Sequence, residues 1–284
     1  MIPFASVNLK RGAVARHLIT VVIAIVAAGF VAVPSSLAEP PTAPSPPGSM
    51  APRTQPIPLQ PDQQSRIYFK IPAANEIVRM QTHFTVPAKP SRVGTMFLWP
   101  GLEPRDGGRN YYPIGLGVLQ PVLTWGDACA PVQQPPTYST WWISGQYVNV
   151  YSRDPQYADC HSGRAMSVRV GEALDMDIAL DQATGVWTQT ITGRSGSVRY
   201  SINMRAQAQN MALFAIEPWD NARLANRLVF SDTTITFRDE ARQSCLTPEL
   251  TYTGNGGTIT PPTTTDGRRC HIDTATVNPP RSVD

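Results

Sequence analysis

No two cysteines in this 284-residue chain are spaced as CxxC, and its four histidines are scattered. The first absence removes the usual zinc-ligand spacing. The second leaves no Ser/His/Asp or Cys/His centre legible: His83 and His271 stand alone, and only Cys160 has a neighbouring histidine, His161. Long basic runs and amphipathic stretches are also missing. That argues against nucleic acid as a partner and against a stable hold on a membrane surface. No helical pattern is long enough for a real helix, and no repeat of solenoid type is present. Neither a metal nor a cofactor is implied.

What is present begins at the N-terminus. Lys10, Arg11 and Arg16 precede an apolar run over residues 18–33, Pro34 ends it, and Ser36-Leu37-Ala38 puts small residues before Glu39. This order predicts a secretory signal peptide over residues 1–38. The alternative, an uncleaved anchor, needs about 20 apolar residues to span a bilayer, and this run is shorter. A secreted or periplasmic location follows. The signal holds three of the 24 basic residues and none of the 21 acidic ones, so the remaining chain has 21 of each and a net charge near zero. An even number of cysteines in an exported chain favours disulfides. Of three possible pairings, Cys129–Cys160 and Cys245–Cys270 are expected, because each ties one local segment.

Residues 39–64 are dense in Pro, Ser, Gln and Thr and lack the apolar content for a core, so a disordered or extended linker is expected. Residues 254–284, with Pro261-Pro262-Thr263-Thr264-Thr265, read as an irregular tail. Between them, residues 65–253 read as one β domain. Leu174, Met176, Ile178 and Leu180 alternate with polar residues, which is the period of a strand with one buried face. Residues 166–170 lead into Gly171-Glu172, a pattern suited to a type II′ hairpin. Further strands are expected over 82–86, 95–99, 115–125, 138–151, 186–192, 197–204, 211–217 and 228–237, with a helical turn over 205–210. Pro121 suggests an edge or a bulge in its strand. Such a series of short strands predicts a sandwich or barrel.

Four stretches resemble the glutamic peptidases (eqolisins). Phe97-Leu-Trp-Pro-Gly-Leu102 is similar to that family's Trp-containing strand ending in a Gly turn, and Val118-Leu-Gln-Pro-Val122 to the strand bearing its catalytic Gln. Tyr138-Ser-Thr-Trp-Trp142 resembles its aromatic strand, and Met211-Ala-Leu-Phe-Ala-Ile-Glu217 the strand bearing its catalytic Glu. Residues 229–237 take the place of the closing strand. The resemblance spans residues 95–237 and implies an all-β fold, an antiparallel β-sandwich of the concanavalin A-like jelly-roll type. In that family the Glu acts as general base on a water while the Gln amide holds the water and the oxyanion. Gln120 matches the Gln. Leu213 stands where the Glu belongs and cannot accept a proton. Glu217 matches a later acidic position, about 13 Å along the strand at ~3.3 Å per residue.

The residues therefore point to a groove that binds an extended peptide or glycan, with peptidase activity altered or absent. Gln120 and Glu217 are the candidate catalytic pair. Trp99, Trp141, Trp142, Tyr147, Asp175, Asp177 and Gln189 are the candidate ligand contacts. Of the adjacent Trp141 and Trp142, one should face the core and the other the groove. Tyr147, Asn149 and Tyr151 should share one face. Two other readings remain open: an active acid endopeptidase of glutamic type, and a glycoside hydrolase drawing a carboxylate pair from Asp175, Asp177 and Glu217. A monomer is expected.

Overall fold

The computed structural model describes residues 64–281 apart from 73, 92, 105–113 and 129–136. The expected signal peptide, nearly all of the linker, and Cys129 lie outside the described residues. Fifteen strands are described: β1 (Ser65–Lys70), β2 (Ile77–Thr85), β3 (Gly94–Glu103), β4 (Val118–Gly126), β5 (Thr137–Asn149), β6 (Asp159–Ser162), β7 (Met166–Val168), β8 (Ala173–Asp181), β9 (Val186–Gly193), β10 (Gly196–Asn203), β11 (Met211–Asp220), β12 (Leu228–Phe237), β13 (Glu249–Thr253), β14 (Gly257–Ile259) and β15 (Arg269–Val277). The helix described with them is α1 (Arg242–Leu246).

The strands form two antiparallel sheets packed as a sandwich. The first runs β13-β1-β11-β3-β4-β5-β6, with β7 also on β5; the second runs β10-β9-β8-β2-β12-β15-β14. Alternation along each strand sends one set of side chains into the space between the sheets. Ile67, Phe69, Leu98, Leu123, Trp141 and Phe214 enter it from the first sheet, and Met80, Phe84, Met176, Trp187, Phe230 and Ile272 from the second, all at most 2% exposed. Phe214 meets Phe230 with ring centroids 5.0 Å apart, and Phe230 meets Phe84 edge-on at 5.4 Å. Such aromatic contacts add to the area buried and fix the spacing of the layers.

Four expectations need correction. Residues 254–284 are not an irregular tail: β15 lies in the second sheet between β12 and β14. Its Ile272, Ala275 and Val277 are fully buried, so tertiary packing overrides the Thr and Pro content around them. Residues 166–172 do not form a hairpin, because β7 pairs with β5 while β8 belongs to the other sheet. Gly171, at φ 81°, instead donates its N–H to Val86 O, and Glu172 O accepts from Val86 N–H, so the turn carries the chain between layers. Residues 205–210 form no helical turn; Arg205 and Ala206 take positive φ. Pro121 lies on an interior strand. It is buried and, by the β3–β4 register, level with the buried Pro100, where the ladder is interrupted between Leu98↔Leu123 and Leu102↔Leu119. Two prolines facing one gap leave no N–H there to go unpaired.

Cys245 of α1 and Cys270 of β15 form the expected disulfide. Cys160 is disulfide-bonded as well, and its expected partner, Cys129, is among the residues not described. No helix among the described residues is long and apolar enough to cross a membrane.

Candidate functional site

Gln120 and Leu213 lie on the same face of the first sheet, the one turned away from the core. Their relation follows from the register. Tyr68 pairs with Leu213, Leu213 with Gly101, and Gln120 with Gln146. The constant offset between β3 and β4 sets Gly101 level with Gln120. One row therefore crosses five strands: Tyr68, Leu213, Gly101, Gln120, Gln146. Gly101, inside β3 rather than at a turn, separates Leu213 from Gln120 without a side chain of its own.

The floor around this row is apolar. Trp99, Val122, Met211, Leu213 and Ala215 pack as a second cluster outside the main core, with Tyr68, Phe97 and Val118 at its margin. Leu213 is completely covered, whereas Gln120 keeps 9% of its surface open. The Gln120 side chain makes no hydrogen bond among the described residues. Its neighbour Gln146 is different: its amide donates to Ser144 Oγ at 3.0 Å.

Glu217 is on this face but is already engaged. Its carboxylate accepts from Trp99 Nε1 at 3.2 Å, from Trp219 Nε1 at 3.3 Å and from Arg66 at 3.4 Å. The Arg66 guanidinium lies 5.2 Å from the centre of the Trp99 ring, so charge pairing and stacking hold one assembly. Glu217 is four residues from Leu213 on the same strand and outside the Gln120 row. The two candidate catalytic residues are thus not brought together. Trp99 is on the right face, yet only 2% exposed, and acts as floor.

The remaining candidates are dispersed. Trp141 faces the core, edge-on to Trp125 at 5.6 Å. Trp142 faces outward as the alternation requires, but it is 3% exposed and its Nε1 donates to Gly126 O at 3.0 Å, so it offers no open ring. Tyr147 is inward and fully buried, its hydroxyl accepting from Asn149 Nδ2 at 2.9 Å. Burial raises its pKa, against the lowering effect of that bond. Tyr151 lies beyond the strand end and is exposed, so the three residues share no binding face. Gln189 reaches through the core from the second sheet: it accepts the Gln146 backbone N–H at 3.1 Å and donates to Gln146 O at 2.6 Å. Gly145 makes this possible, since a Cβ there would stand 3.1 Å from Gln189 Cβ and 2.8 Å from Tyr200 Cβ.

Asp175 and Asp177 lie on the outer face of the second sheet, across the sandwich from Gln120. Arg79 grips Asp177 with two nitrogens at 2.9 and 2.6 Å, and His83 Nδ1 lies 2.5 Å from Asp175 Oδ1. Asp175 is level with His83 and Asp177 is diagonal to Arg79 on β2, so both carboxylates are engaged across the strands of a wet sheet face. They share no groove with Glu217, and the carboxylate pair that a glycosidase needs is not assembled from these residues.

Sequence reasoning missed Glu103, Arg66 and Lys70. Glu103 follows Gly101 by two residues and therefore shares its face; by the β3–β4 offset it is level with Val118. Burial pushes its carboxyl up to about 7, against the opposing pull of Arg66 and Lys70. The period-two rule applied beyond the Trp-Pro-Gly motif would have found it. Elsewhere, an open polar cleft of about 730 Å³ is lined by Ala225, Asn226, Arg227, Asn255, Asn278 and Pro279, none of them a candidate residue.

No family model matches the chain, and no curated protein matches it. Among solved structures, the chain is similar to scytalido-glutamic peptidase with a peptide-based transition-state analog, at a TM-score of 0.46 and 12% identity over 76% of this chain and 97% of that one. It is also similar to SCP-B, a member of the eqolisin family of peptidases in a complex with the tripeptide Ala-Ile-His, at a TM-score of 0.45 and 11% identity over the same shares.

Proposed function

We propose that this is an exported, glutamic-peptidase-like β-sandwich protein that holds an extended peptide against the outer face of its first sheet and has little or no acid peptidase activity. The observation that carries this reading is the row containing Gln120 and Leu213. Four motifs order themselves as in the glutamic peptidases, and the register brings the Gln position and the Glu position onto one face. Gln120 offers an amide with no hydrogen-bond partner among the described residues, able to donate to a peptide carbonyl. Leu213 offers no base and is covered. A peptide suits this face better than a glycan, because the Trp99 and Trp142 rings are closed to stacking. The signal-like segment and the disulfide favour export.

Binding of fluorescently labelled unfolded peptides by anisotropy tests the reading, with pepstatin-insensitive cleavage at pH 3–5 measured in parallel. Wild type should bind with little cleavage, and Gln120→Ala should weaken binding about 3- to 10-fold, the worth of one hydrogen bond. Absence of binding would remove the peptide site. Robust acid cleavage that Gln120→Ala abolishes would show that a carboxylate serves the site at low pH after all.

A further inference from the structure

The polar cleft of about 730 Å³ lies at the β14 edge of the second sheet, and the peptide reading makes no use of it. Three chain segments build it: residues 225–227 before β12, residues 278–279 after β15, and Asn255 in the turn between β13 and β14. The ladders fix their order. Val277 pairs with Leu228 on one side and with Gly257 on the other. One step beyond, Arg227 and Gly256 flank Asn278, whose N–H donates to Gly256 O at 2.9 Å. Leu228 and Val277 are buried, so alternation turns Arg227 and Asn278 away from the core.

The far wall is set by the fold itself. A Cβ on Gly254 would stand 1.9 Å from Gln64 O, so only glycine lets the turn approach β1 this closely. Asn255 Nδ2 then donates to Pro279 O at 3.0 Å, its Oδ1 accepts from Arg281 Nε at 3.4 Å, and Asn278 Nδ2 donates to Asn255 O at 3.1 Å. Arg227 is held differently. Its exposed guanidinium makes no hydrogen bond or ion pair among the described residues, and no carboxylate lines the cleft. The Asn226 amide beside it has no partner among the described residues either. A planar fork of N–H donors left without a counter-charge favours an oxyanion.

The surface next to the cleft says what the oxyanion is attached to. Two residues further along the strands, about 6.6 Å at ~3.3 Å per residue, Val229, Thr276 and Thr258 form the next row on the same outer face. Val229 is 44% exposed, and neither threonine hydroxyl has a hydrogen-bond partner among the described residues. An apolar spot flanked by free hydroxyls and amides suits a sugar ring, with its C–H face and its hydroxyl groups that both donate and accept. The cleft is also large enough for a small molecule rather than a lone ion. We propose that it binds an acidic saccharide, whose carboxylate or sulfate oxygens are gripped by Arg227 and whose ring lies along Val229 between Asn278 and the threonines. The site belongs to the second sheet, whereas the Gln120 row belongs to the first, so the inference goes beyond the peptide reading and does not depend on it.

The experiment titrates the exported protein by isothermal calorimetry at low salt with trigalacturonate and with galactose 6-sulfate. Each is compared with a neutral counterpart, the methyl ester of trigalacturonate and galactose. At least one of the two anions should bind, and which one binds identifies the oxyanion. Its neutral counterpart should bind about 10-fold or more weakly, the worth of a charge-assisted hydrogen bond. Arg227→Gln, an exposed change that leaves the fold intact, should weaken the anion by a similar factor and leave peptide anisotropy unchanged. Failure of both anions to bind at about 1 mM, the weak end of specific recognition, overturns the inference whatever the peptide assay shows. Equal affinity for an anion and its neutral counterpart, or affinity unchanged in Arg227→Gln, also overturns it. Loss of peptide binding in Arg227→Gln would overturn the separation of the two sites.

Discussion

At Glu217 a carboxylate collects N–H groups from two indoles and a guanidinium, and at Gln120 the side-chain amide has no hydrogen-bond partner among the described residues. This difference in partners separates a structural polar residue from one available to a ligand. Glu103 adds a third case, a carboxylate whose burial favours the neutral form. Because its folded pKa, about 7, lies above the ordinary value of 4.5, its contribution to stability is present below about pH 4.5 and is lost as pH rises through about 7. Thermal melts should show wild type losing stability relative to Glu103→Gln between pH 5 and 8; a difference that stays constant with pH would contradict the assignment. Trp142 tests burial directly. Although its side chain faces away from the core, it is covered and hydrogen-bonded, so Trp142→Ala should cost about 3 kcal/mol or more by urea denaturation. A near-neutral result would restore the ring as a free surface.

At the scale of elements, the sandwich uses glycine where another side chain must pass. Gly145 on β5 admits Gln189 of β9, which clamps both backbone groups of Gln146. The clamp ties the second sheet to the strand next to Gln120. Gln189→Ala removes two buried hydrogen bonds, one to the Gln146 N–H and one to its C=O, at about 0.5–1.5 kcal/mol each. Chemical denaturation should register the loss, and hydrogen exchange should show the Gln146 amide opening first; unchanged exchange there would count against the clamp. The strand pattern of β8 and β12 was legible because each has one apolar face. The position of β4 was not, since Pro121 suggests an edge until Pro100 is seen level with it on the neighbouring strand. Gln189 was misread for the same reason: nothing in its own strand shows that a glycine stands opposite it in the other sheet.

For the whole molecule, the C-terminal segment decides whether the second sheet closes. β15 fills the place between β12 and β14, and the Cys245–Cys270 bridge fastens it to α1. Ending the chain at residue 253 would strip β12 of a strand along most of its length and open Phe230 and Ile235 to water. That chain should fail to give soluble, cooperatively unfolding protein, as judged by circular dichroism and a melting transition. A truncated form that melts cooperatively near the wild-type temperature would show that the tail is dispensable. Opening the bridge alone should be milder, about 3–4 kcal/mol for a closed loop of this length.

The sequence by itself determined the all-β class, most strand positions and the pairing of Cys245 with Cys270. These depend on local period, turn residues and spacing, which a linear chain carries. Only the tertiary structure decided which strands lie in which sheet. It thereby placed Asp175 and Asp177 across the sandwich from Gln120, buried Tyr147 and Trp142, committed Glu217 to Arg66, and brought Glu103 beside Gln120. The physical reason is that alternation gives two faces to every strand, whereas the neighbours on each face come from chain segments far away in sequence. Those neighbours set solvation, hydrogen bonding and charge, and with them whether a polar residue is spent on the fold or left for a ligand.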